Sequence, residues 1–287
     1  MRRSIAQLPE HDPVWKVVHT QGDPPMKVRF AFLLSLVLLT SLSYAQDVKE
    51  VNKTVGIGAD GTVFIETYKG SITIETSDKP VVNIVARIEA DGGNSRSKED
   101  VERTMIDIDS SGGEVRIKTD YDRLREHHSW FSGWFTDDNV ALPFVHYTIS
   151  MPATARLSIK DYKSDSRITN LHSSIDLNTY KGSVAITGLE GSIDLETYKG
   201  DSRVDLAKLS RDSRFKTYKG QIQISLPRET GFELETDLGR RTDFDSDFDA
   251  DFHSKRHSAG DIHGKVNGGG PMLRLSGEKG SFRLKAL

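Results

Sequence analysis

Apolar and polar residues alternate along most of the chain, and this period of two is typical of β-strands. In residues 174–191 (SIDLNTYKGSVAITGLEG) the alternation runs up to Lys181-Gly182, which interrupts it. Glycine at this point gives the backbone the freedom that a turn needs, and a second alternating run follows. The segment closes with GLEG at 188–191, where we expect Leu189 to point inward. Each such unit is predicted to contain two short strands and two turns.

The unit recurs in tandem over residues 156–231. Four copies begin at residues 156, 174, 192 and 211, and their tyrosines follow one another at intervals of 18, 18 and 20 residues. One unit cannot bury its apolar face alone, so successive units must stack. We therefore predict an all-β fold, a flattened β-solenoid or stacked β-roll built from two-strand coils of about 18 residues. Recurring side chains should then lie directly above one another, about 4.8 Å apart.

The part of the chain before the tandem copies is also rich in strand patterns. Residues 62–76 (TVFIETYKGSITIET) hold an isolated copy of the motif, which we interpret as an amino-terminal coil. A Ser-Ser-Gly-Gly turn between two alternating runs predicts a hairpin. The expected elements outside the tandem copies are strands at 80–90 and 144–152, the hairpin at 104–121, a helical turn at 95–103 and a final strand pair at 272–284.

Residues 26–45 (MKVRFAFLLSLVLLTSLSYA) have the layout of a secretory signal peptide: a basic start, an apolar centre and a small-x-small cleavage site. Met26 is then the expected start, residues 1–25 an over-extended amino terminus, and residues 46–287 one β-repeat domain. The apolar run is short for a membrane span, so we expect no stable span after cleavage. The sequence thus predicts a secreted, periplasmic or cell-surface protein.

Glycine-punctuated strand repeats in an exported chain resemble the bacterial putative-adhesin family, a secreted β-strand-repeat domain of unknown function. Tyr-Lys-Gly fills the small-polar-glycine slot of that family at 68–70, 180–182, 198–200 and 218–220, whereas Tyr-Lys-Ser at 162–164 departs from it. The resemblance covers roughly residues 55–287. It implies a β-solenoid-like fold in the cell envelope, and it supplies no catalytic motif.

The net charge bears on the class of partner, and the cysteine content bears on whether disulfide bonds can stabilise the fold. The formal net charge is −3, and without residues 1–45, which hold five basic and three acidic residues, it is −5. This balance does not favour nucleic acid as a partner. Cysteine is absent, so no disulfide can form and packing and hydrogen bonds must hold the fold.

The recurring tyrosines and the lysines that follow them are the first candidate binding site. Aromatic faces suit sugar rings, and repeated cations suit phosphates or uronates. Alternatively, the stacked rings only stiffen the fold, and the lysines stay solvated and partly neutralised by Asp176, Asp194 and Glu196. The candidate residues are Tyr162, Tyr180, Tyr198, Tyr218, Lys163, Lys181, Lys199 and Lys219.

A second candidate is the insert at 125–138 (REHHSWFSGWFTDD), which fits neither the alternation nor the repeat. Trp130, Phe131 and Trp134 would form a contact patch for a partner if they are exposed. Alternatively, the insert is a cap over one open end of the repeat array, because such arrays must cover their terminal apolar faces.

Metal binding and catalysis have weaker support. Asp243, Asp245, Asp247, Asp249 and Asp251 alternate with other residues, but the run lacks the glycine and glutamate of a calcium loop of the EF-hand type. The chain has no Gly-x-Ser-x-Gly elbow and no phosphate loop. We therefore expect no metal, no cofactor and no enzymatic activity.

The sequence as a whole predicts a non-enzymatic, adhesin-like scaffold of the cell envelope that presents a repeated Tyr/Lys face to an extended partner, a glycan or a polyanion. One alternative is a structural or regulatory envelope protein that contacts a protein partner through the Trp130–Trp134 insert. A polysaccharide-acting enzyme is a third possibility and would need a cluster of carboxylates in a groove.

Overall fold

The computed structural model describes residues 48–92, 97–125, 142–249, 251–252 and 262–287. The predictions for residues 1–45, and those for Trp130, Phe131 and Trp134, lie outside this part of the chain. Within it the all-β prediction is confirmed: 18 strands belong to one hydrogen-bonded sheet and are accompanied by two short helices. None of the helices in the described ranges has the length and apolar character needed to cross a membrane.

The strands follow the alternating runs of the sequence. The helices are α1 (Ser97–Arg103), at the predicted helical turn, and α2 (Asp122–Arg125). In chain order the strands are β1 (Val48–Gly56), β2 (Thr62–Glu66), β3 (Lys69–Ser77), β4 (Val81–Glu89), β5 (Met105–Ser111), β6 (Glu114–Asp120), β7 (Phe144–Pro152), β8 (Arg156–Asp161), β9 (Lys163–Thr169), β10 (Ile175–Thr179), β11 (Val184–Gly191), β12 (Ile193–Lys199), β13 (Ser202–Leu209), β14 (Ser213–Leu226), β15 (Phe232–Ser246), β16 (Asp251–Phe252), β17 (His263–Val266) and β18 (Met272–Ala286).

The first strands of successive units stack in parallel and in register. Leu177 of β10 lies between Ile159 of β8 and Leu195 of β12, and Phe215 of β14 follows at the same position. The predicted stacking of the tandem units is thereby confirmed at the level of individual residue pairs. We call this series of strands, β6–β2–β8–β10–β12–β14–β18–β15, the first stack.

The second strands of the units form a matching second stack, β7–β3–β9–β11–β13–β14–β18–β15, which is also parallel. β14, β18 and β15 are long enough to belong to both stacks without a break in the strand. Antiparallel strands extend the stacks at their ends, with β5 beside β6, β4 and β1 beyond β7, and β17 beside β15.

The order of strands in the stacks departs from chain order at two places. β2 and β3, which carry the isolated motif copy, lie between β6/β7 and β8/β9 and not at the end of the array. β18 is one strand of 15 residues and not the predicted pair, and it lies between β14 and β15. Both insertions place like residues next to each other, Lys69 beside Lys163 and Lys219 beside Lys279.

Inward-pointing residues of both stacks form one apolar cluster. Ile175, Leu177 and Leu189 are at most 2% exposed, so the predicted inward position of Leu189 is confirmed. Threonines of the repeated motif also point inward, with Thr179 and Thr197 each 1% exposed. The core is therefore apolar along the strands and lined with hydroxyl groups where the chain passes from the first stack to the second.

The glycine of the motif is required because the backbones of neighbouring coils touch at this corner. A Cβ atom on Gly182 would lie 1.8 Å from the carbonyl oxygen of Ser164, and one on Gly200 would lie 2.1 Å from that of Gly182. Real Cβ atoms do not approach backbone oxygens so closely. Gly200 in addition has a φ of +132°, a conformation that side chains disfavour. The contact thus fixes both the residue type and the spacing of the coils.

We expect Gly182→Ala to destabilise the protein by about 1–3 kcal/mol, because the new methyl group must displace the backbone of the preceding coil. Gly58→Ala is the matched control, since a Cβ at Gly58 meets no atom within 4 Å and should be neutral or slightly stabilising. Urea unfolding of the full chain measures both effects. Equal stability of the two variants would contradict the close backbone contact.

Candidate binding face

The recurring tyrosines form a continuous stack of rings along the corner where the first stack passes into the second. Neighbouring ring centroids lie 4.6 or 4.7 Å apart, and the angles between ring planes are 4–16°. The four predicted tyrosines are all present, and a fifth ring from the isolated motif copy precedes them. We call this set the tyrosine ladder: Tyr68, Tyr162, Tyr180, Tyr198 and Tyr218.

Stacking covers the ring faces that the sequence suggested for sugar binding. Each of the three inner tyrosines has a neighbouring ring on both sides at contact distance. At one end the ladder meets Tyr121, which packs edge-to-face on Tyr68 with a centroid distance of 6.4 Å. At the other end the next strand places Glu278 where a tyrosine would stand, and Tyr218 is 38% exposed. The inner rings present only their edges to a ligand.

A row of lysines runs beside the tyrosine ladder. Lys69 pairs in register with Lys163, and Lys219 with both Lys199 and Lys279. Strands in a sheet lie about 4.8 Å apart, so the lysine backbones follow one another at that spacing. We call this set the lysine file: Lys69, Lys163, Lys181, Lys199, Lys219 and Lys279.

Cation–π contacts reduce the repulsion within the lysine file. The ammonium groups of Lys163, Lys181 and Lys199 lie 5.3–5.6 Å from the ring centroid of the preceding tyrosine. This distance is within the range in which a ring attracts a cation. Lys69 is held differently, by an ion pair of 2.6 Å with Asp91. The tyrosine ladder therefore supports the lysine file electrostatically as well as sterically.

Two of the three acidic residues expected to neutralise these lysines form ion pairs with other cations. Asp194 pairs with Arg214 at 2.5 Å and Glu196 pairs with Lys216 at 2.8 Å, both across neighbouring coils of the first stack. Among the described residues, Lys181 and Lys219 form no ion pair and both are exposed. The file thus keeps cations that are available to a ligand.

Asp161 replaces the inward threonine of the motif in the first tandem unit, where Ser164 replaces the glycine. Its Oδ1 accepts hydrogen bonds from the Ser164 N–H (2.8 Å) and the Thr179 hydroxyl (3.0 Å). Its Oδ2 is buried and has no hydrogen-bond partner among the described residues. Burial raises the pKa of Asp161 to about 6; the two hydrogen bonds lower it, and nearby Asp165 raises it. An ionised Asp161 is therefore a cost to the folded state.

The alternating aspartates of residues 243–251 lie partly on a strand and partly in a loop. Asp243 and Asp245 lie on β15, where Asp245 is 3.6 Å from Arg283, and Asp247 accepts a hydrogen bond from the Ala286 N–H. The predicted alternation continues only to Ser246, where β15 ends. No group of three or more metal-ligating side chains lies within the described ranges.

Three residues of this face were not named among the candidates: Tyr68, Lys69 and Lys279. Tyr68 was visible in the isolated motif copy, but its place in the ladder follows from the insertion of β2 beside β8. Lys279 belongs to a shortened motif, Glu278-Lys279-Gly280, that aligns with Tyr218-Lys219-Gly220. The shared Lys-Gly pair was the sequence signal that could have revealed it.

The fold and this face define a class of protein: an all-β repeat protein whose stacked coils carry a side-chain ladder along one corner. The chain belongs to the Toastrack DUF4097 family, whose model matches residues 60–285. This agrees with the resemblance to the putative-adhesin family drawn from the motif. No curated protein matches the chain.

The solved structures to which the chain is similar are remote from it in sequence and have TM-scores below 0.5. A "putative cell adhesion protein" from Clostridium sporogenes is 11% identical, with a TM-score of 0.42 over 84% of this chain and 100% of the other. A "putative adhesin" from Bacteroides fragilis is 11% identical, with a TM-score of 0.34 over 83% of this chain and 97% of the other. A "putative lipid binding protein" from Parabacteroides distasonis is 10% identical, with a TM-score of 0.31 over 83% of this chain and 97% of the other. Similarities at this level do not extend to function.

We expect Tyr180→Leu to destabilise the protein more than Tyr218→Leu. Tyr180 loses two stacked neighbours and Tyr218 loses one, and an aromatic pair contributes about 0.5–1.5 kcal/mol beyond the buried area. The expected losses are about 1–3 and 0.5–1.5 kcal/mol respectively. Urea unfolding of both variants measures the difference. Identical losses would show that the rings contribute only buried area.

Asp161→Asn should stabilise the protein at neutral pH. The folded-state pKa of about 6 exceeds the ordinary value of 3.8, so stability is lost as pH rises between these values and the cost persists above them. The substitution should recover up to about 3 kcal/mol near pH 7.5 and little near pH 4. Thermal unfolding at the two pH values tests this, with the exposed Asp60→Asn as control. A gain that is the same at both pH values would contradict a charge effect.

Proposed function

We propose that the protein is an exported, non-catalytic binding module of the cell envelope whose lysine file binds an extended acidic polymer, of the kind represented by a uronate-containing polysaccharide. The observation that carries the proposal is the register of the lysines, which repeats a positive charge at each coil from β3 to β18. A polymer with regularly spaced carboxylates matches such a row. The partner is therefore defined by charge and by repetition.

Repetition compensates for the weakness of single contacts. An exposed pair between a lysine and a carboxylate contributes at most about 1 kcal/mol, but successive contacts along one chain act within the same complex and add avidity. The exposed edges of the tyrosine ladder lie beside the lysines, where phenol hydroxyls can bind sugar hydroxyls. This mode of binding does not need the ring faces, which stacking already covers.

A rigid fold suits the binding of an extended polymer by the lysine file. We infer that the first and second stacks are the two sides of a flattened β-solenoid, because β14, β18 and β15 each belong to both stacks and the inward residues of both form one cluster. The ladder then holds its cations at fixed spacing. Ordering of the site on binding costs little when the site is already ordered.

Export is part of the proposal and rests on the sequence of residues 26–45, which has the layout of a signal peptide. An acidic polysaccharide of the envelope would be accessible only to an exported protein. The insert around Trp130 and Trp134 stays a prediction of a second contact site or a cap, and it is not needed for the lysine file to act.

Binding of the full chain to polygalacturonate, measured by calorimetry, tests the proposal. We expect Lys181→Gln/Lys219→Gln to weaken binding about tenfold at low salt, since two contacts of roughly 0.7 kcal/mol each are lost. Binding should also weaken as salt is raised, because the contacts are exposed and screened.

Lys208→Gln/Lys285→Gln is the matched control. It makes the same charge change at two exposed lysines outside the file and should leave the affinity nearly unchanged. Equal losses in the two double variants would show that only net charge matters, and binding of neutral dextran as tight as that of polygalacturonate would remove the case for cation recognition.

A further inference from the structure

The outer face of the second stack carries arginine on every second strand. Along the spatial order β3, β9, β11, β13, β14, β18, the residues that pair in register at one outward position are Thr73, Arg167, Ala185, Arg203, Gln223 and Arg283. Successive arginines are therefore two strand spacings apart, about 9.6 Å. We call Arg167, Arg203 and Arg283 the arginine row.

The sequence shows the same alternation between charged and neutral coils. Residues 165–167 and 201–203 both read Asp-Ser-Arg, whereas the coils that follow them read Ser-Val-Ala at 183–185 and Gln-Ile-Gln at 221–223. The middle residue of each triplet is buried, so the outer two share one face of the strand, about 6.6 Å apart. Each Asp-Ser-Arg coil thus presents a carboxylate and a guanidinium side by side, and the next coil presents no charge at these positions.

Hydrogen bonds to the next coil hold the two aspartates in place. Oδ1 of Asp165 accepts from the N–H (3.0 Å) and the hydroxyl (2.6 Å) of Ser183, and Oδ1 of Asp201 accepts from the Gln221 N–H (3.2 Å). Both aspartates are exposed. The Oδ2 atom of each forms no hydrogen bond with another described residue, so it is available to a donor on a ligand.

The guanidinium groups of the arginine row are also available. Arg167 and Arg203 are exposed and form no ion pair within the described ranges, and Arg283 is 3.6 Å from Asp245 with both side chains more than half exposed. A role in stability alone would favour opposite charges across strands, as in the ion pairs of the first stack. Here the cross-strand neighbours are neutral. Each arginine can therefore bind an acidic group on a ligand through two parallel hydrogen bonds.

The spacing of the arginine row distinguishes between classes of polymer. An extended peptide repeats its side chains on one face at about 6.6–6.8 Å, which does not match two coils. In an extended chain of pyranose rings each sugar advances by a length similar to one strand spacing, so a disaccharide spans two coils. An acidic sugar carries a carboxylate for the arginine and hydroxyl donors for the aspartate of the same coil.

We propose that the outer face of the second stack binds an extended polysaccharide in which acidic and neutral sugars alternate, with one sugar on each coil. The acidic sugars bind the arginine row and donate hydroxyl hydrogen bonds to Asp165 and Asp201, and the neutral sugars lie over Ala185 and Gln223. The proposal rests on the proposed function and names the polymer. The lysine file, four residues before the arginine row on each charged strand, attracts acidic polymers in general, whereas the arginine row selects the alternating ones.

Two oligosaccharides of matched length test the proposal by calorimetry with the full chain at low salt. Hyaluronan alternates a uronate with a neutral sugar, and polygalacturonate carries a uronate at every position. We expect Arg167→Gln/Arg203→Gln to weaken hyaluronan binding about tenfold and polygalacturonate binding less than about threefold. Arg156→Gln/Arg211→Gln is the matched control, because it removes two exposed arginines outside the second stack and should change both affinities little.

Arg167→Ala/Ala185→Arg tests the spacing without changing the net charge. The exchange moves one arginine by one coil, so that arginines stand on the neighbouring strands β11 and β13. We expect hyaluronan binding to weaken by about threefold or more, since one carboxylate loses its partner, and polygalacturonate binding to stay nearly unchanged. Urea unfolding of the same variants establishes that each is folded in the binding experiment.

The arginine row and the lysine file can fail separately. The arginine row is overturned if hyaluronan binds the original chain no better than neutral dextran does, if the exchanged variant binds hyaluronan as tightly as the original, or if Arg167→Gln/Arg203→Gln weakens both oligosaccharides equally. Lys181→Gln/Lys219→Gln should weaken both oligosaccharides. If it weakens neither, the lysine file is overturned, and the exchange of Arg167 and Ala185 still decides the arginine row.

Discussion

The contact on which the structure depends is the approach of one coil backbone to the next at the Tyr-Lys-Gly corner. The carbonyl of Ser164 lies where a Cβ of Gly182 would stand, and the carbonyl of Gly182 lies where a Cβ of Gly200 would stand. At this corner the coils lie in register, so the motif residues of most coils find the same residue type above and below them. The repetition in the sequence is a consequence of this geometry, since like residues must tolerate each other at strand spacing.

Stacking of like on like favours some residue types and penalises others. Tyrosines and aliphatic residues gain contact area, as in the rings at 4.6–4.7 Å, whereas equal charges repel. On the first stack some opposite charges face each other across coils, with Asp194 beside Arg214 and Glu196 beside Lys216, but Asp176 lies beside Asp194 and Arg214 beside Arg274. In the lysine file six like charges follow one another, and those of Lys163, Lys181 and Lys199 lie beside aromatic rings that attract cations. Repulsion within this row of lysines costs free energy, and binding of an acidic polymer would explain why the row exists.

The chemistry of the molecule concentrates where the repeat is broken. Asp161 and Ser164 replace threonine and glycine together, and the carboxylate of Asp161 then binds the Ser164 N–H, at the cost of a buried ionisable group. Glu278 stands at the tyrosine position of β18, and the ladder ends before it. In a repeat array a residue that differs from its neighbours gives up the stacking that they share. Such residues are therefore the first to inspect for a role other than stability.

The sequence alone determined the strands, the turns and the vertical alignment of the tandem tyrosines, because a period of two and an interval of 18 residues leave few alternatives. It could not place the isolated motif copy beside β8, nor β18 between β14 and β15, because these pairings join segments far apart in the chain and no local pattern encodes a distant neighbour. It also could not show that the inner ring faces are covered and that the ladder ends at Tyr218, where the next strand carries Glu278. Those facts depend on which strand follows which in space, and tertiary packing alone decides that order.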